Sequence, residues 1–188
     1  MKETIIAKGK LFELIHEVQP DGRVFERARR APGVRLIIAD RDKGELLLTK
    51  EFRKELNDWD YRLPGGKVFD SLDEYEQHRN SGDDIVVAAR KKATEEACEE
   101  AGILVEDLSL FRESTLGATV EWDLYVFEVG QWRAAEGGQK LEEGEIIEAD
   151  SWFKYDDVSV MILKGEMKED RIALIVLQWI AKQKEKTV

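Results

Sequence analysis

The sequence predicts an α+β fold in one domain. Three observations carry this: a first half written as short apolar strands separated by turn signals, a single long helical stretch with a capped start and a glycine stop, and a return to strands before two closing helical segments. At 188 residues the chain is long enough for one substantial core and short for two. No repeat and no low-complexity linker interrupts it.

Lys10 to Val18 shows loose apolar alternation, and Pro20-Asp21-Gly22 is a strong turn signal before Val24 and Phe25, so this segment reads as a hairpin. After Ala31-Pro32-Gly33, the run from Val34 to Ala39 reads as a buried strand. Asp40 to Gly44 supplies a turn, and Glu45 to Thr49 returns as a second strand of an antiparallel or mixed sheet. Leu63-Pro64-Gly65-Gly66 is a loop that neither a helix interior nor a central strand tolerates. The charged segment from Ser71 to Asp84 contains a break at Asn80-Ser81-Gly82. From there the pattern is helical: Asp83 or Asp84 caps it, Val86, Ala89, Ala93, Ala97 and Ala101 form an apolar stripe, and Gly102 ends it. Strands resume at Leu108 to Phe111, Trp122 to Val129 and Ile146 to Phe153. Val158 to Leu163 and Arg171 to Lys184 have helical periodicity, the latter with Ile172, Ile175, Val176, Trp179 and Ile180 on one face.

Composition narrows the partners. A formal net charge of -11, with 37% charged residues, opposes non-specific association with nucleic acid or an anionic membrane. It also repels phosphorylated ligands, which would need local cations or a bound metal. Cys98 is the single cysteine, so no intramolecular disulfide forms, and a reducing cytoplasm is favoured. No apolar run is long enough for a signal peptide or a spanning helix.

The chemistry-bearing segment is Ala93 to Ile103. Positions three and four apart share a helix face, so Glu96, Glu99 and Glu100 are expected to project together, opposite the alanine stripe. Carboxylates held this close repel one another unless a positive charge lies between them. Magnesium takes carboxylate and water ligands and leaves positions for substrate phosphates. An acidic helix run on its own is more often a solvated face; here Leu63-Pro64-Gly65-Gly66-Lys67 precedes it and Gly102-Ile103 closes it.

In these residues the chain resembles the Nudix hydrolases. That family's box runs Gly, five residues, Glu, seven residues, then Arg-Glu-apolar-any-Glu-Glu-any-Gly-apolar. Gly66 matches its opening, and Glu96, Ala97, Glu99, Glu100, Gly102 and Ile103 match its closing half in order. The resemblance implies the Nudix fold, a mixed sheet sandwiched by helices, here as a domain over 32–188 with an N-terminal antiparallel strand extension over 1–31. It also implies Mg2+ (or Mn2+) held by Glu96 and Glu100, assisted by Glu99 and by the Gly65 carbonyl. Two departures stand out. An insertion within Ser71 to Arg90 lengthens the box, and its first glutamate is thereby lost or displaced; the insertion is expected as a helical excursion lengthening the helix at its start. The box arginine, which helps orient the glutamates, is replaced by Glu95, leaving Arg90, Lys91 or Lys92 to substitute from the preceding turn.

Beyond the box, the Ala-Pro-Gly entry, Leu47 to Arg53 and the closing Arg171 to Trp179 helix are similar to the ADP-ribose and nucleotide-sugar pyrophosphatase branch. The proline that marks the ADP-ribose branch after the box is absent, with Thr115-Leu116-Gly117 in its place. The resemblance implies hydrolysis of a phosphoanhydride in a small nucleotide-like diphosphate, with a nucleotide-binding module of weak or no catalysis as the alternative. It puts Arg53 against substrate phosphate, with Lys67 as a further cation, Arg30 at the base, and Glu121 assisting the metal site. The general base falls in the acidic loop 141–148, at Glu143 ahead of Glu145, because a carboxylate must reach the attacking water. The branch exchanges N-terminal strands between subunits, which implies a homodimer.

Overall fold

The computed structural model describes residues 2–141, 143, 146–148 and 151–186. Its strands are β1 (Lys2–Lys8), β2 (Phe12–Val18), β3 (Val24–Arg30), β4 (Gly33–Ile37), β5 (Ala39–Asp40), β6 (Glu45–Leu47), β7 (Thr49–Arg53) and β8 (Asp58–Arg62). Helices α1 (Leu72–Ser81) and α2 (Ile85–Ala101) follow. Then come β9 (Ile103–Val105), β10 (Leu108–Ser114), β11 (Val120–Glu121), β12 (Leu124–Val129), β13 (Trp132–Ala134), β14 (Ile147–Glu148) and β15 (Trp152–Lys154), and the closing helices α3 (Tyr155–Leu163) and α4 (Asp170–Lys186). Among the described residues no helix is long and apolar enough to cross a membrane.

Strand alternation builds the central layer. β12 pairs parallel with β4 and antiparallel with β10. Val34, Leu36, Tyr125, Phe127 and Val129 pack with the alanine face of α2, Ala89, Ala93 and Ala97. Ile37, Leu124 and Val126, one residue out of phase, pack instead with Val158, Ile172, Val176 and Trp179 of α3 and α4. Successive side chains of a strand point to opposite faces, so the same strands close two cores and sit between helical layers. This is the α+β sandwich the sequence predicts.

The N-terminal segment differs from the hairpin expected. Lys2–Lys8 is a third strand, antiparallel to β2, and β11 adds parallel to β3, giving the order β1-β2-β3-β11. Its residues are all exposed, so burial leaves no apolar signature in the sequence to announce it. The insertion also differs. It forms its own helix rather than lengthening α2, because Ser71 accepts from the Glu74 amide at 3.2 Å to start α1 and Gly82, in the left-handed region, stops it. Helix α2 then starts afresh on the Asp84 cap. Helix α1 ties back to the N-terminal strands: Leu72 N–H donates to the Lys10 carbonyl at 2.9 Å, and Lys8 pairs with Asp73 at 2.7 Å. The stretch expected as one strand from Ile146 to Phe153 holds two short ones, β14 on β7 and β15 on β6.

Candidate active site

The loop after β8 lies along β4. Val34 N–H donates to the Gly66 carbonyl, Leu36 N–H to the Pro64 carbonyl and Val68 N–H to the Pro32 carbonyl, each at 2.9 Å. The approach is close enough that a side chain at position 65 is impossible: its Cβ would lie 2.3 Å from the Val34 carbonyl oxygen, with φ at +142°. At Gly66 the obstacle is functional, since a Cβ would fall 2.0 Å from Oε1 of Glu96. The two glycines let a bare backbone meet the carboxylates of α2.

Those carboxylates do not lie opposite the alanine stripe. Glu96 and Glu100 share the buried side of α2 with Ala89, Ala93 and Ala97. The helical wheel gives the reason: 96 and 97 both follow 93 by three or four residues, and 100 follows both by the same steps. Gly65 N–H donates to Oε2 of Glu100 at 2.7 Å. Burial pushes Glu96 above the usual carboxylate range, against the pull of the Lys92 ammonium, whose Nζ is 3.1 Å from Oε1. Lys92 also reaches Oε2 of Glu99 at 3.6 Å. Of the three cations that precede the glutamates, Lys92 is therefore the one at the carboxylates. Lys91 pairs with the exposed Glu95 at 3.9 Å, and Arg90 bonds the Leu108 carbonyl and lies over the Phe127 ring.

A cavity of about 540 Å³ opens at this point. Gly65, Gly66, Lys67, Glu96, Glu99 and Glu100 line part of it, and Arg30, Arg35, Arg53, Arg62, Trp122 and Glu169 are among the groups lining the rest. Arg30 lies over the Trp122 ring at 4.4 Å and the Phe12 ring at 5.2 Å. Glu51 bridges two cations, accepting from Arg53 at 2.8 Å and from Arg62 at 3.0 Å. Lys67 pairs with Asp70 at 3.6 Å. Arg35 is buried in β4; its NH1 donates to the Val34 carbonyl at 2.8 Å and to the Gly65 carbonyl at 2.7 Å. Burial and then the nearby Arg62 charge push Arg35 down to about 10.

Seven of the residues expected at a site thus meet in one cavity: Arg30, Arg53, Gly65, Lys67, Glu96, Glu99 and Glu100. Glu121 is elsewhere, accepting from Arg29 at 2.8 Å and Arg27 at 3.3 Å. Glu143 is exposed in a turn and does not line the cavity, and Glu145 lies outside the described residues. Sequence reasoning missed Arg35, Arg62 and Trp122. Only Arg35 carried a signal, a charge inside the apolar run from Val34 to Ala39.

The donor set suits magnesium in kind: hard anionic oxygens, two of them buried, beside a backbone with no side chain in the way. Among the described residues no three acidic, histidine or cysteine groups converge as a finished metal cluster. Glu96 pairs with Lys92, and Glu100 accepts from the Gly65 amide.

Comparison with known proteins agrees with the geometry. The NUDIX domain family model matches residues 29–175. No curated protein sequence matches the chain. Among solved structures, an ADP compounds hydrolase superposes with a TM-score of 0.63 over 97% of this chain and 96% of that chain, at 14% identity. A MutT structure (Aliivibrio salmonicida and Vibrio cholerae) gives a TM-score of 0.46 at 22% identity, covering 70% of this chain and 85% of that chain. The family model takes in the end of β3, the Pro-Gly-Gly loop, all of α2 and the start of α4, and the chain therefore belongs to the Nudix family and is a Nudix hydrolase.

Proposed function

We propose that this Nudix hydrolase cleaves the phosphoanhydride of a nucleoside diphosphate linked to a second moiety, ADP-ribose or another nucleotide sugar, with Mg2+ (or Mn2+). The observation that carries the reading is the cavity itself. It joins buried carboxylates on α2 to a set of guanidinium groups in a volume typical of small-molecule sites. In a chain with a net charge of -11 the cavity sets Arg30, Arg35, Arg53, Arg62 and Lys67 beside those carboxylates, and a diphosphate requires such cations.

Glu96 and Glu100 would hold the metal, with Glu99 and the Gly65 carbonyl assisting. A divalent ion there supplies charge neutralisation of the phosphates and a more acidic water. The rest is work for the chain's own side chains. Arg53 and Lys67 balance phosphate charge, Arg30 flanks the base from its seat on Trp122, and a carboxylate of the acidic loop, Glu143 or Glu145, accepts the proton of the attacking water. No covalent intermediate is needed. Glu121, engaged by Arg29 and Arg27, takes no part in this chemistry.

The same reading makes 1–31 a dimerisation element on the domain over 32–188. The β1-β2-β3 sheet exposes Ile5, Ile6, Phe12, Val24 and Phe25, an apolar set that a second copy would cover. A monomeric mass in sedimentation at micromolar concentration would count against it.

The test of activity is a panel of ADP-ribose, other nucleotide sugars, dinucleoside polyphosphates and nucleoside triphosphates, each with magnesium or manganese. The expected result is metal-dependent release of a nucleoside monophosphate from the linked diphosphates. A binding module is the second reading, favoured by one observation, that Lys92 occupies Glu96. Metal-dependent nucleotide binding without turnover on any member of the panel would select it.

A further inference from the structure

All five residues of β4 are buried, and Arg35 is the one charge among them. Strand neighbours Val34, Leu36 and Ile37 are wholly inaccessible. A guanidinium in such a position is expected to be held by a carboxylate, because an unpaired buried charge is strongly unfavourable. Among the described residues Arg35 has no such partner. It spends NH1 on two backbone carbonyls, Val34 and Gly65, and its Nε is buried without an acceptor. The nearby cation Arg62 makes the position worse, and Glu169, Glu100 and Glu96 relieve it only through space. The group nonetheless lines the cavity.

The same chain shows what a satisfied guanidinium looks like. Arg29, equally buried, donates to Glu13, Glu121 and Glu3 at once. Arg35 lacks an anion, and the open side of its environment is the cavity read above as a diphosphate site.

We propose that Arg35 is a phosphate-binding residue of this cavity, its guanidinium donating to an oxygen of the substrate's diphosphate while NH1 stays on the Gly65 carbonyl. This rests on the diphosphate reading and adds to it a residue that neither the box nor its neighbourhood contains. The planar fork of a guanidinium matches phosphate oxygens, and a fixed, dry cation gains more from an anion than a solvated one does. It also orders binding. Glu96 and Glu100 partly offset Arg35 through space, so committing them to a metal leaves Arg35 in greater need of an anion, and the diphosphate binds more tightly after the metal than before it.

The test is calorimetric binding of α,β-methylene-ADP, a diphosphate that resists cleavage, with adenosine as the phosphate-free control, both in magnesium. Arg35→Gln keeps a donor for the Gly65 carbonyl and loses the charge. It should weaken α,β-methylene-ADP by roughly tenfold to a hundredfold, the range for a hydrogen bond to a charged group, and leave adenosine unchanged. Arg35→Lys keeps the charge and should fall between Arg35→Gln and the wild type. Arg35→Met should melt no lower than the wild type without ligand, since a buried unpaired charge is removed. Equal binding of α,β-methylene-ADP by Arg35→Gln and the wild type overturns the proposal. So does parallel loss of adenosine, or a large drop in the melting temperature of Arg35→Met, either of which makes Arg35 a strap for the loop. Failure of the wild type itself to bind α,β-methylene-ADP would remove the diphosphate reading instead, a result separable from the others.

Discussion

Two regions of this molecule bury charge, and they treat it oppositely. In the N-terminal sheet Arg29 is held by three carboxylates: Glu13 at 3.0 Å, Glu121 at 2.8 Å and Glu3 at 3.0 Å. Burial alone would pull Arg29 down, but the hydrogen bonds it donates to Glu121 and Glu3 overcome it and hold it above the ordinary arginine value. Arg27, two residues along the same strand, is paired with Glu3, Glu17 and Glu121. In the cavity carboxylate neighbours hold Arg53 and Lys92 up against burial, but other groups run the other way. Arg35 and Arg30 are pushed down by burial and Glu96 is pushed up by it. Charges that complete one another inside the chain act as structure. Charges left incomplete in a cavity are stabilised by whatever enters it.

The sharpest way to break the comparison is Arg29→Met. It strands Glu13, which is nearly inaccessible, and removes a partner from Glu3 and Glu121. Breaking a buried pair by deleting one side costs about 3–5 kcal/mol, so the urea midpoint should fall steeply while the remaining folded protein keeps its turnover. A loss below about 1 kcal/mol would mean the network is in effect solvated, like an ordinary surface pair.

Glu100→Gln asks the same question of the cavity and expects the reverse answer. Turnover should fall by roughly a hundredfold or more, the scale for removing a main electrostatic element of phosphoryl transfer. Stability without metal should stay level or rise, because a like-charge neighbour of Glu96 is neutralised. Magnesium-dependent thermal stabilisation should shrink with the activity, since it arises from binding to the folded state. Unchanged turnover in an otherwise active enzyme would remove Glu100 from the metal site.

Much of this contrast could be read in the residues, and the part that could not has a physical cause. Helix α2 was legible because its cap, its alanine stripe and Gly102 are all local signals. The carboxylates and the Gly65-Gly66 loop were legible as a motif, although their placement opposite the alanines was not correct. β1 was not legible: an exposed strand has no core face and so no pattern to display. Helix α1 was legible only as a helical excursion of α2; its independence was hidden for a related reason, with Leu72 its one buried residue and charged groups along most of its length. Half of the wall of cations was illegible in a deeper sense: the resemblance reached Arg30 and Arg53, but nothing reached Arg35 and Arg62. Arg30, Arg35, Arg53 and Arg62 come from separate strands, and only tertiary pairing brings them to one cavity. Glu121 shows the converse. The resemblance put it at the metal site, but the parallel pairing of β11 with β3 puts it beside Arg29.

Acid sharpens the comparison at lower amplitude. The hydrogen bond from Arg29 holds Glu3 below its ordinary value of 4.5, so the folded chain binds that proton less readily than the unfolded chain. The stability this supplies is complete above 4.5 and is lost as the pH falls through the lowered folded value. Glu96, raised by burial, has the opposite sign: its charged form is a burden at neutral pH, and protonation on the way down relieves it. Glu3→Gln should therefore flatten the acid limb of the stability curve. Glu3 is partly exposed, so the change should stay under about 1 kcal/mol. An acid limb as steep as the wild type's would show that Glu3 contributes nothing to the network.

The smallest expected effect decides the register of the motif. Glu95 stands where the family has an arginine, directly before Glu96, and by sequence alone it is as acidic and as close as any metal ligand. In the structure it is exposed and absent from the cavity lining, with a 3.9 Å pair to Lys91. The burial of Glu96 and Glu100 beside it is a consequence of phase, because one residue is a turn of about 100° on a helix. Glu95→Gln should accordingly change turnover by less than about twofold, and stability by no more than the few tenths of a kcal/mol that an exposed helical pair contributes. Run beside Glu100→Gln, it separates two explanations of any loss. A deficit confined to Glu100→Gln follows the buried face of α2. Equal deficits from both would mean that total negative charge on the helix, and not the position of particular oxygens against Gly65 and Gly66, is what the chemistry depends on.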